Sequence, residues 1–374
     1  MTSKLVVGII FGGRSGEHEV SLMSARSVLS VIDREKYEVV EIGITLDGRW
    51  YSGVNVLEAF LRGQVQDLVQ VFLMPDPDIQ ILYAMSSATR NQKASISPMV
   101  KLDVVFPILH GTFGEDGTLQ GFFDLANIAY VGAGVLGSAI GMDKGVFVDV
   151  MRAYNMPVVD TLVFTANEIS SQIDHVMDEA EGLAPYPLFV KPANLGSSVG
   201  ISKCKSRSDL VEGILEAVRY YRRILIQRGI NAREIEVSVL GNDQPEVSIP
   251  GEIIPSREFY SYEAKYIDNA STLIIPAPIS KAQMDMVQEL AIKAYRAVDC
   301  AGMARVDFLL DKDSEELYIN EINTVPGFTT ISMYPKLWEA SGVTYSDLID
   351  RLIDLALQRK TERDRIERVF HSKE

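Results

Sequence analysis

The sequence predicts an N-terminal α/β domain with a parallel sheet, followed by two α+β units. In the first third of the chain, short apolar runs alternate with helical stretches, which is typical of a mostly parallel sheet. Beyond that third, the strand-like runs fall into two further blocks. With 374 residues, 47% of them hydrophobic, the chain can bury a large core and should form two or three domains.

The first predicted unit comprises residues 1–132. It begins with Leu5 to Phe11, a β-branched apolar run that stops at Gly12-Gly13, as expected for a buried strand that ends in a ligand-sized turn. For residues 53–100 we expect only an edge hairpin or an exposed insertion, because prolines and a polar stretch interrupt the alternation of apolar runs and helical stretches. The other predicted elements of this unit are a helix from about Glu19 to Ile32 and strands at Tyr37 to Ile44 and Leu102 to Leu109.

The central unit, residues 133–227, and the last unit, residues 228–374, divide the rest of the chain. In the central unit we expect strands at Pro187 to Lys191 and Ile224 to Gln227 around a helix near Ser208 to Tyr221. The last unit should contain strands at Glu234 to Leu240, Met303 to Leu310 and Glu316 to Asn320. Its helices are one opened by the capping box Ser280 to Gln283 and an amphipathic one after Thr344 that carries Leu348, Leu352, Leu355 and Ile366.

Charge and cysteine content argue against several classes of protein. The chain has 36 basic and 51 acidic residues, a formal charge of −15, so it lacks the electrostatic footprint of a nucleic-acid-binding protein. Its two cysteines, Cys204 and Cys300, lack CxxC spacing and are expected to be reduced packing residues. The apolar run Leu5 to Phe11 is too short to cross a membrane, so we expect a cytoplasmic protein without membrane insertion.

The segment Val131 to Gly137 matches the GxGxxG pattern of dinucleotide-binding folds. That pattern requires an acidic residue about 20 positions later, whereas Asp160 follows Gly132 by about 28. We therefore favour a glycine-rich crossing between domains over a nicotinamide site.

A second glycine-rich segment follows Lys191, at the end of a predicted strand. Its Gly and Ser residues, at 192–200, could cover phosphates, since small residues let backbone N–H groups approach oxygens and the lysine supplies a charge. It is not a Walker A loop, because GxxxxGK[ST] does not occur in the chain. Taken alone, the segment is more simply interpreted as a structural turn than as a phosphate-binding loop.

Two strands near the C-terminus carry a candidate metal site. Strand alternation places Arg305 and Asp307 on one face, and likewise Glu321 and Asn323. Oxygen ligands without His or Cys suit Mg²⁺ that bridges nucleotide phosphates, and Arg305 could neutralise charge on a transferring phosphoryl group. A structural ion pair on a sheet is the alternative.

These two groups together resemble the ATP-grasp superfamily, and the wider set of motifs resembles the D-alanine:D-alanine ligases within it. The resemblance covers nearly the whole chain and implies a nucleotide held between two α+β subdomains, with a mobile loop at 256–275. The matching segments, in the family's order, are Gly12 to Ser21, His110 to Thr118, Met142 to Lys144, Lys191 to Gly200, Tyr260 to Tyr266 and Asn320 to Gly327.

The resemblance implies an activity and its requirements. The chain would activate D-alanine as an acyl phosphate at the expense of ATP, with two Mg²⁺ ions for which Mn²⁺ can substitute, and would form a homodimer. A D-alanine:D-lactate ligase or another carboxylate-amine ligase is the nearest alternative. A nucleotide-binding module without catalysis is another, although the intact set Arg305, Asp307, Glu321 and Asn323 weighs against it.

The same resemblance assigns roles to individual residues. The first substrate and the tetrahedral intermediate would be handled by Glu17, Ser197, Tyr266, Arg305 and the N–H of Gly327. The second substrate would be bound by His110, Lys265, Ser332 and Met333. The nucleotide would be bound by Lys144, Lys191, Ser198, Gln227, Arg228, Ile230 and Glu234, of which Glu234 would hold the ribose. The metal ligands would be Asp307, Glu321 and Asn323.

Two of these residues leave a question open. Gln227 stands where the family commonly has a glutamate that accepts from the adenine amino group, but glutamine keeps one acceptor oxygen, so ATP remains the expected nucleotide. His110 is either a polar wall of the second-substrate pocket or a structural imidazole with both nitrogens satisfied.

Overall fold

The protein is represented by a computed structural model that describes residues 4–86, 93–196, 199–254 and 272–367. Three sheets, of eight, four and six strands, organise these residues. None of the described helices is long and apolar enough to cross a membrane. Cys204 and Cys300 are both buried free thiols, as predicted.

The first sheet contains the strands of residues 5–130. Its strands are β1 (Leu5–Gly12), β2 (Tyr37–Ile44), β3 (Trp50–Ser52), β4 (Val69–Leu73), β5 (Ile81–Ser86), β6 (Ser95–Lys101), β7 (Val104–Ile108) and β8 (Ala129–Tyr130). The helices of this region are α1 (His18–Val31), α2 (Val56–Leu61) and α3 (Thr118–Leu125). The strand order is β6-β5-β4-β3-β2-β1-β7-β8.

The α/β class predicted for this region is confirmed, but its sheet is mixed rather than mostly parallel. Strands β2, β1, β7 and β8 are parallel to one another, whereas β3 to β6 extend the sheet in antiparallel pairs. The connections β2–β3, β4–β5 and β5–β6 are too short for the crossovers that parallel strands need, whereas β3 and β4 are joined by a longer segment that contains α2 and still pair antiparallel. The predicted edge hairpin is confirmed as β5 and β6, with β6 outermost.

The second sheet is antiparallel, in the order β11-β10-β12-β9. Its strands are β9 (Thr161–Thr165), β10 (Leu188–Pro192), β11 (Ser202–Cys204) and β12 (Arg223–Arg228). The helices before and around it are α4 (Val135–Met142), α5 (Lys144–Ala153), α6 (Ala166–Ser171), α7 (Ile173–Leu183) and α8 (Arg207–Ala217). Helix α8 ends before the predicted Tyr221, because the N–H groups of Arg219 and Tyr220 bond three residues back and tighten the chain into turns.

The third sheet has the order β16-β15-β13-β17-β18, with β14 paired to β13. Its strands are β13 (Ala232–Gly241), β14 (Glu246–Val247), β15 (Gly251–Ile254), β16 (Thr272–Ile274), β17 (Gly302–Asp311) and β18 (Leu317–Asn323). The helices of this region are α9 (Lys281–Ala297), α10 (Met333–Ala340) and α11 (Tyr345–Asp364). The capping box before α9 is confirmed: Ser280 Oγ accepts from the Gln283 N–H at 3.3 Å, and Gln283 Oε1 from the Ser280 N–H at 2.9 Å.

Helix α11 connects the C-terminal region to the first sheet. Leu348 and Leu352 are fully buried as predicted, but Ile366 lies beyond the helix end and is 66% exposed, so its predicted packing role is wrong. The helical period continues past Asp364 in the sequence, whereas the helix itself ends there. Arg359 of α11 donates to the carbonyl oxygens of Tyr130, at 3.0 Å, and Gly132.

The GxGxxG segment lies at this crossing between the first sheet and α4. A Cβ placed on Gly137 would be 3.0 Å from the Asp299 carbonyl oxygen, and one on Gly302 would be 3.1 Å from the Gly132 nitrogen. These glycines permit close backbone packing between two regions, which agrees with a domain crossing.

Candidate functional site

A cleft of about 1370 Å³ is lined by residues of the second and third sheets and by residues of the segments that follow β1 and β7. Every predicted site residue within the described part of the chain lines this cleft. The predicted residues Ser197, Ser198, Lys265 and Tyr266, and most of the predicted loop 256–275, lie outside the described residues.

The turn after β1 delivers Glu17 to the cleft. Gly12 has φ +89°, and a Cβ there would lie 2.3 Å from the Ile44 carbonyl oxygen, so only glycine fits this tight turn. The Ser15 hydroxyl then accepts from the Glu17 N–H at 3.0 Å, just before α1 begins. The Glu17 side chain is thereby placed at the edge of the sheet, largely buried.

Two glycines from other segments approach the Glu17 carboxylate closely. A Cβ on Gly111 would lie 2.6 Å from Glu17 Oε2, and one on Gly196 would lie 2.8 Å from the same oxygen. The carboxylate is therefore enclosed by backbone from the loop after β7 and from the loop after β10. A largely buried carboxylate that faces a cleft is suited to a cationic group such as an ammonium.

The His110 imidazole is buried and has a partner at each ring nitrogen. Nδ1 lies 3.0 Å from the Val325 carbonyl oxygen, and Nε2 lies 3.0 Å from Ser24 Oγ, which also accepts from the Phe328 N–H at 3.3 Å. Burial lowers the pKa of His110, while the charge of Glu17 acts in the opposite direction. The satisfied-imidazole interpretation is thus supported, and the ring holds the loop that carries Gly327.

Glu115 is a buried carboxyl group in the cleft that our sequence reasoning did not single out. Its Oε1 accepts from the Gly111 N–H at 2.7 Å. Burial, followed by the charge of Glu17, raises the pKa of Glu115 to about 8. Near neutral pH this carboxyl group is therefore mostly protonated.

Lys144 joins the loop after β10 to the candidate metal ligands. Its backbone N–H donates to the Ala193 carbonyl oxygen and its Nζ to the Leu195 carbonyl oxygen, both at 2.8 Å. The same Nζ lies 3.6 Å from Glu321 Oε2. The ammonium thus lies between a glycine-rich loop and a carboxylate, where a phosphate group would meet both.

Lys191, Gln227 and Arg228 lie on the neighbouring strands β10 and β12. Lys191 Nζ donates to Gln227 Oε1 at 2.7 Å, and Arg228 Nε donates to Asp160 Oδ2 at 3.0 Å. The Arg228 side chain also packs over the Tyr318 ring, with the guanidinium carbon 5.5 Å from the ring centroid. Ile230 and Glu234 continue the cleft wall into β13.

The two strands that carry the candidate metal ligands are adjacent, as the sequence suggested. Asp307 of β17 is paired with Glu321 of β18, and Arg305 with Asn323. Arg305 donates from Nε to Asp307 Oδ1 and from Nη2 to Asp307 Oδ2, each at 2.7 Å, and its Nε lies 3.0 Å from Glu236 Oε2. Burial opposes the charge of Arg305, but Asp307, Glu236 and Glu321 together raise its pKa well above its ordinary value.

The donor chemistry fits magnesium that is shared with a nucleotide. The described residues contain no group of three His, Cys, Asp or Glu side chains arranged to hold a metal by themselves. The candidate set consists of two carboxylates, Asp307 and Glu321, and the amide of Asn323. Mg²⁺ is commonly bound by one or two carboxylates, with waters and substrate phosphates completing its octahedron, so this set fits such an ion.

The loop before α10 presents hydrogen-bonding groups at the opposite end of the cleft. Ser332 is the N-cap of α10, yet its hydroxyl does not cap the helix: it accepts from the Thr329 N–H at 3.0 Å. A Cβ on Gly327 would lie 2.7 Å from Ser332 Oγ, so glycine is needed for this approach. The helix start at Met333 and this hydroxyl together favour an anion such as a carboxylate.

Two cleft residues, Glu236 and Glu115, and one residue behind the cleft wall, Thr161, were missed from the sequence, for different reasons. Glu236 lies two residues after Glu234 on β13, so strand alternation could have placed it on the cleft face. Glu115 lies inside the His110 motif, where its burial was not foreseeable. Thr161, which accepts from Gln227 Nε2 at 3.1 Å, is identified only by the register of β9 against β12.

Comparisons with known families match almost the whole chain. Residues 6–133 match the family described as D-ala D-ala ligase N-terminus, and residues 150–354 match D-ala D-ala ligase C-terminus. A D-alanine–D-alanine ligase of Heliobacterium modesticaldum is 51% identical over 362 residues, which is 97% of each chain. One of Natranaerobius thermophilus is 50% identical over 363 residues, again 97% of each.

Solved structures give the same family. The D-alanine-D-alanine ligase from Coxiella burnetii superposes with a TM-score of 0.80 at 35% identity and covers 96% of each chain. The VanG D-Ala:D-Ser ligase from Enterococcus faecalis has a TM-score of 0.83 at 34% identity, covering 95% of this chain and all of that one.

Proposed function

Because this chain belongs to the D-alanine–D-alanine ligase family, we propose that it joins two D-alanine molecules into D-alanyl-D-alanine. ATP is converted to ADP and phosphate in this reaction, and the product serves peptidoglycan precursor synthesis. One observation supports the proposal above others: a single cleft gathers Glu17, the Arg305 and carboxylate cluster, and the Ser332 loop. These are an ammonium site, a phosphoryl-transfer site and a carboxylate site within one enclosure.

A carboxylate is a poor electrophile, since its negative charge repels nucleophiles. Transfer of the γ-phosphoryl group to the first D-alanine gives D-alanyl phosphate, in which phosphate is a leaving group. The ammonium of the second D-alanine loses a proton, and the resulting amine attacks the carbonyl carbon, so that the C–N bond forms and a tetrahedral intermediate results. That intermediate then breaks its C–O bond to phosphate, and phosphate leaves. The contribution of the protein is to position three anionic groups and to neutralise their charge.

The nucleotide is held along one side of the cleft. Lys144 and Lys191 face its phosphates, Glu234 its ribose, and the segment Gln227 to Ile230 its base. Asp307, Glu321 and Asn323 hold Mg²⁺, which when bound supplies positive charge to the phosphates. Two Mg²⁺ ions, with Mn²⁺ as a substitute, and Ser198 as a phosphate donor complete this assignment.

The amino acids occupy the other side of the cleft. Glu17 pairs with the ammonium of the first D-alanine, and Ser197 and Tyr266 connect it to the loop 256–275, which closes over both substrates. Arg305 and the N–H of Gly327 face the oxygen that becomes negative in the tetrahedral intermediate. Ser332, Met333 and Lys265 bind the second carboxylate.

The remaining properties follow the same assignment. The chain acts in the cytoplasm as a homodimer and divides into domains of residues 1–132, 133–227 and 228–374. The N-terminal domain contributes Glu17 and His110, and the nucleotide lies between the other two domains.

The test is ADP release by the purified protein with Mg-ATP, with and without D-alanine. We expect release that depends on D-alanine, and mass spectrometry should identify D-alanyl-D-alanine. In a second reaction, D-alanine, D-serine and D-lactate at equal concentrations compete for the position of the second substrate. We expect D-alanyl-D-alanine to be the dominant product at neutral pH. A dominant D-alanyl-D-lactate product would identify the other ligase class, and ATP binding without turnover would identify a binding module.

A further inference from the structure

Lys191, Gln227 and Thr161 form a hydrogen-bonded row across the neighbouring strands β10, β12 and β9. Gln227 lies directly opposite Thr161 in the antiparallel register of β12 and β9. Lys191 Nζ donates to Gln227 Oε1 at 2.7 Å, and Gln227 Nε2 donates to Thr161 Oγ1 at 3.1 Å. Gln227 is 6% exposed and Thr161 5%, and Gln227 lines the cleft. The row therefore fixes a buried amide at the cleft wall.

The chemistry of the two neighbours allows this amide only one orientation. A lysine ammonium is a donor without acceptor capacity, so it requires the amide oxygen on its side. The single proton of the Thr161 hydroxyl is given to the Val159 carbonyl oxygen at 2.8 Å, so this hydroxyl can only accept from Gln227. A flipped amide would set NH₂ against the ammonium and oxygen against the hydroxyl lone pairs. Both neighbours thus independently require the oxygen to face Lys191.

We propose that Thr161 is a positioning residue for nucleotide selection, which holds Gln227 so that it presents only an acceptor to the base. The amide oxygen has two lone pairs, and Lys191 occupies one of them, which leaves the other for the amino group of adenine. This inference rests on the proposed function, since it takes the Gln227 side of the cleft as the base site. Thr161 itself does not line the cleft and acts through Gln227.

Thr161 also explains why an amide stands at position 227. A carboxylate there would place a second acceptor oxygen against Thr161 Oγ1. The hydroxyl would then have to turn its proton away from the Val159 carbonyl oxygen, leaving that buried acceptor without this partner. Glutamine supplies the donor that the hydroxyl accepts, so the two side chains are matched.

The experiment compares the binding of ATP with that of ITP. At one ring position the base of ATP carries an amino group, where the base of ITP carries a carbonyl. Dissociation constants are measured by calorimetry on the full chain with Mg²⁺ and without D-alanine, so that no turnover occurs. The unaltered protein should bind ATP about tenfold more tightly than ITP. Thr161→Val keeps the shape of the side chain but removes the hydroxyl that accepts from Gln227. The ratio of the ITP to the ATP dissociation constant should then fall about fivefold. Thr161→Ser restores the acceptor and should keep the preference within about twofold.

Position 227 provides the matched control. A carboxylate at position 227 has no N–H that needs an acceptor from Thr161. The ATP preference of the double variant Thr161→Val/Gln227→Glu should therefore equal that of the single variant Gln227→Glu within about twofold. Thermal unfolding establishes that each variant is folded, and Thr161→Ala replaces Thr161→Val if the latter is not. An unchanged ATP preference in Thr161→Val would refute the role of Thr161. So would an equal loss of ATP preference on Thr161→Val substitution whether position 227 is glutamine or glutamate. Failure of the unaltered protein to bind ATP would overturn the proposed function and this inference with it.

Discussion

The guanidinium of Arg305 donates to both carboxylate oxygens of Asp307, from Nε to Oδ1 and from Nη2 to Oδ2, each at 2.7 Å. Glu236 lies opposite Asp307 on β13, and Glu321 lies opposite it on β18. Three carboxylates therefore surround one guanidinium, and the cluster keeps an excess of negative charge. Such an excess attracts a metal ion, while Arg305 keeps one cation permanently at the site.

Arg305→Lys should reduce kcat by about 10²–10³-fold, because lysine keeps the charge but lacks the planar fork that reaches Asp307 and Glu236 together. ATP affinity should change much less, since Lys144 and Lys191 are proposed to bind the phosphates as well. Steady-state ADP release and calorimetry separate the two effects. Arg351→Lys, at an exposed ion pair with Glu246, is the matched control. A kcat within about threefold of the unaltered protein would remove Arg305 from the reacting centre.

Glu321→Gln should abolish measurable turnover. The amide removes the negative charge of a proposed metal ligand and also weakens the contact of Lys144 Nζ with Glu321, 3.6 Å in the structure. Thermal unfolding should stay close to that of the unaltered protein, because Glu321 lies at the cleft and not in a hydrophobic core. Turnover is measured across a magnesium titration, with the exposed Glu339→Gln as control. Near-normal turnover at saturating Mg-ATP would show that Glu321 is not a ligand.

Glu115→Gln should change the pH dependence of stability. Folding raises the pKa of Glu115 from 4.5 to about 8. The contribution of this carboxyl group to the free energy of unfolding is therefore fully present below pH 4.5 and is lost as the pH rises through 8. Glutamine stays neutral and keeps an oxygen for the Gly111 N–H. The free energy of unfolding of Glu115→Gln, relative to the unaltered protein, should therefore rise by up to about 1.4 kcal/mol per pH unit across this window.

Urea unfolding at pH 5, 6.5 and 8 measures this difference, and the titration of groups that do not interact with Glu115 cancels between the two proteins. A difference that is independent of pH would show that the Glu115 carboxyl group is not held protonated by the fold.

The sequence could predict features that depend on local pattern. Alternation placed Arg305 with Asp307 and Glu321 with Asn323, and the structure pairs these residues across β17 and β18. The capping box at Ser280 likewise follows from residues three positions apart.

Features that depend on distant segments could not be predicted in this way. The partnership of Thr161 with Gln227 joins residues 66 positions apart and requires the register of two strands. The burial of Glu115 depends on how the loop after β7 packs near Glu17, which no local pattern records. The antiparallel extension through β3 to β6 lies in an irregular stretch, where no local pattern determines the direction in which each strand pairs.

Gly196→Ala should weaken binding of the first D-alanine without affecting the nucleotide. A Cβ at this position would lie 2.8 Å from Glu17 Oε2, so the carboxylate must move away from the place where it meets the ammonium. Gly196 does not have a positive φ, so alanine introduces no left-handed strain there. Gly111 is a poorer test, because its φ of +75° would strain alanine whatever the space. The displacement therefore falls on the flexible end of Glu17.

The first substrate is isolated by supplying hydroxylamine in place of the second D-alanine, so that the acyl phosphate is trapped as a hydroxamate. We expect KM for D-alanine in this reaction to rise about tenfold, the effect of about 1.4 kcal/mol, while the dissociation constant of ATP stays within about twofold. Gly182→Ala in α7 is the control, since nothing lies within 4 Å of its added Cβ; it should leave KM unchanged and stabilise the helix by about 0.5–1 kcal/mol. An unchanged KM in Gly196→Ala would mean that the position of the Glu17 carboxylate does not determine how the first substrate is held. An equal rise in the dissociation constant of ATP would instead place the effect in the nucleotide side of the cleft, and Glu17 would lose its assignment to the ammonium.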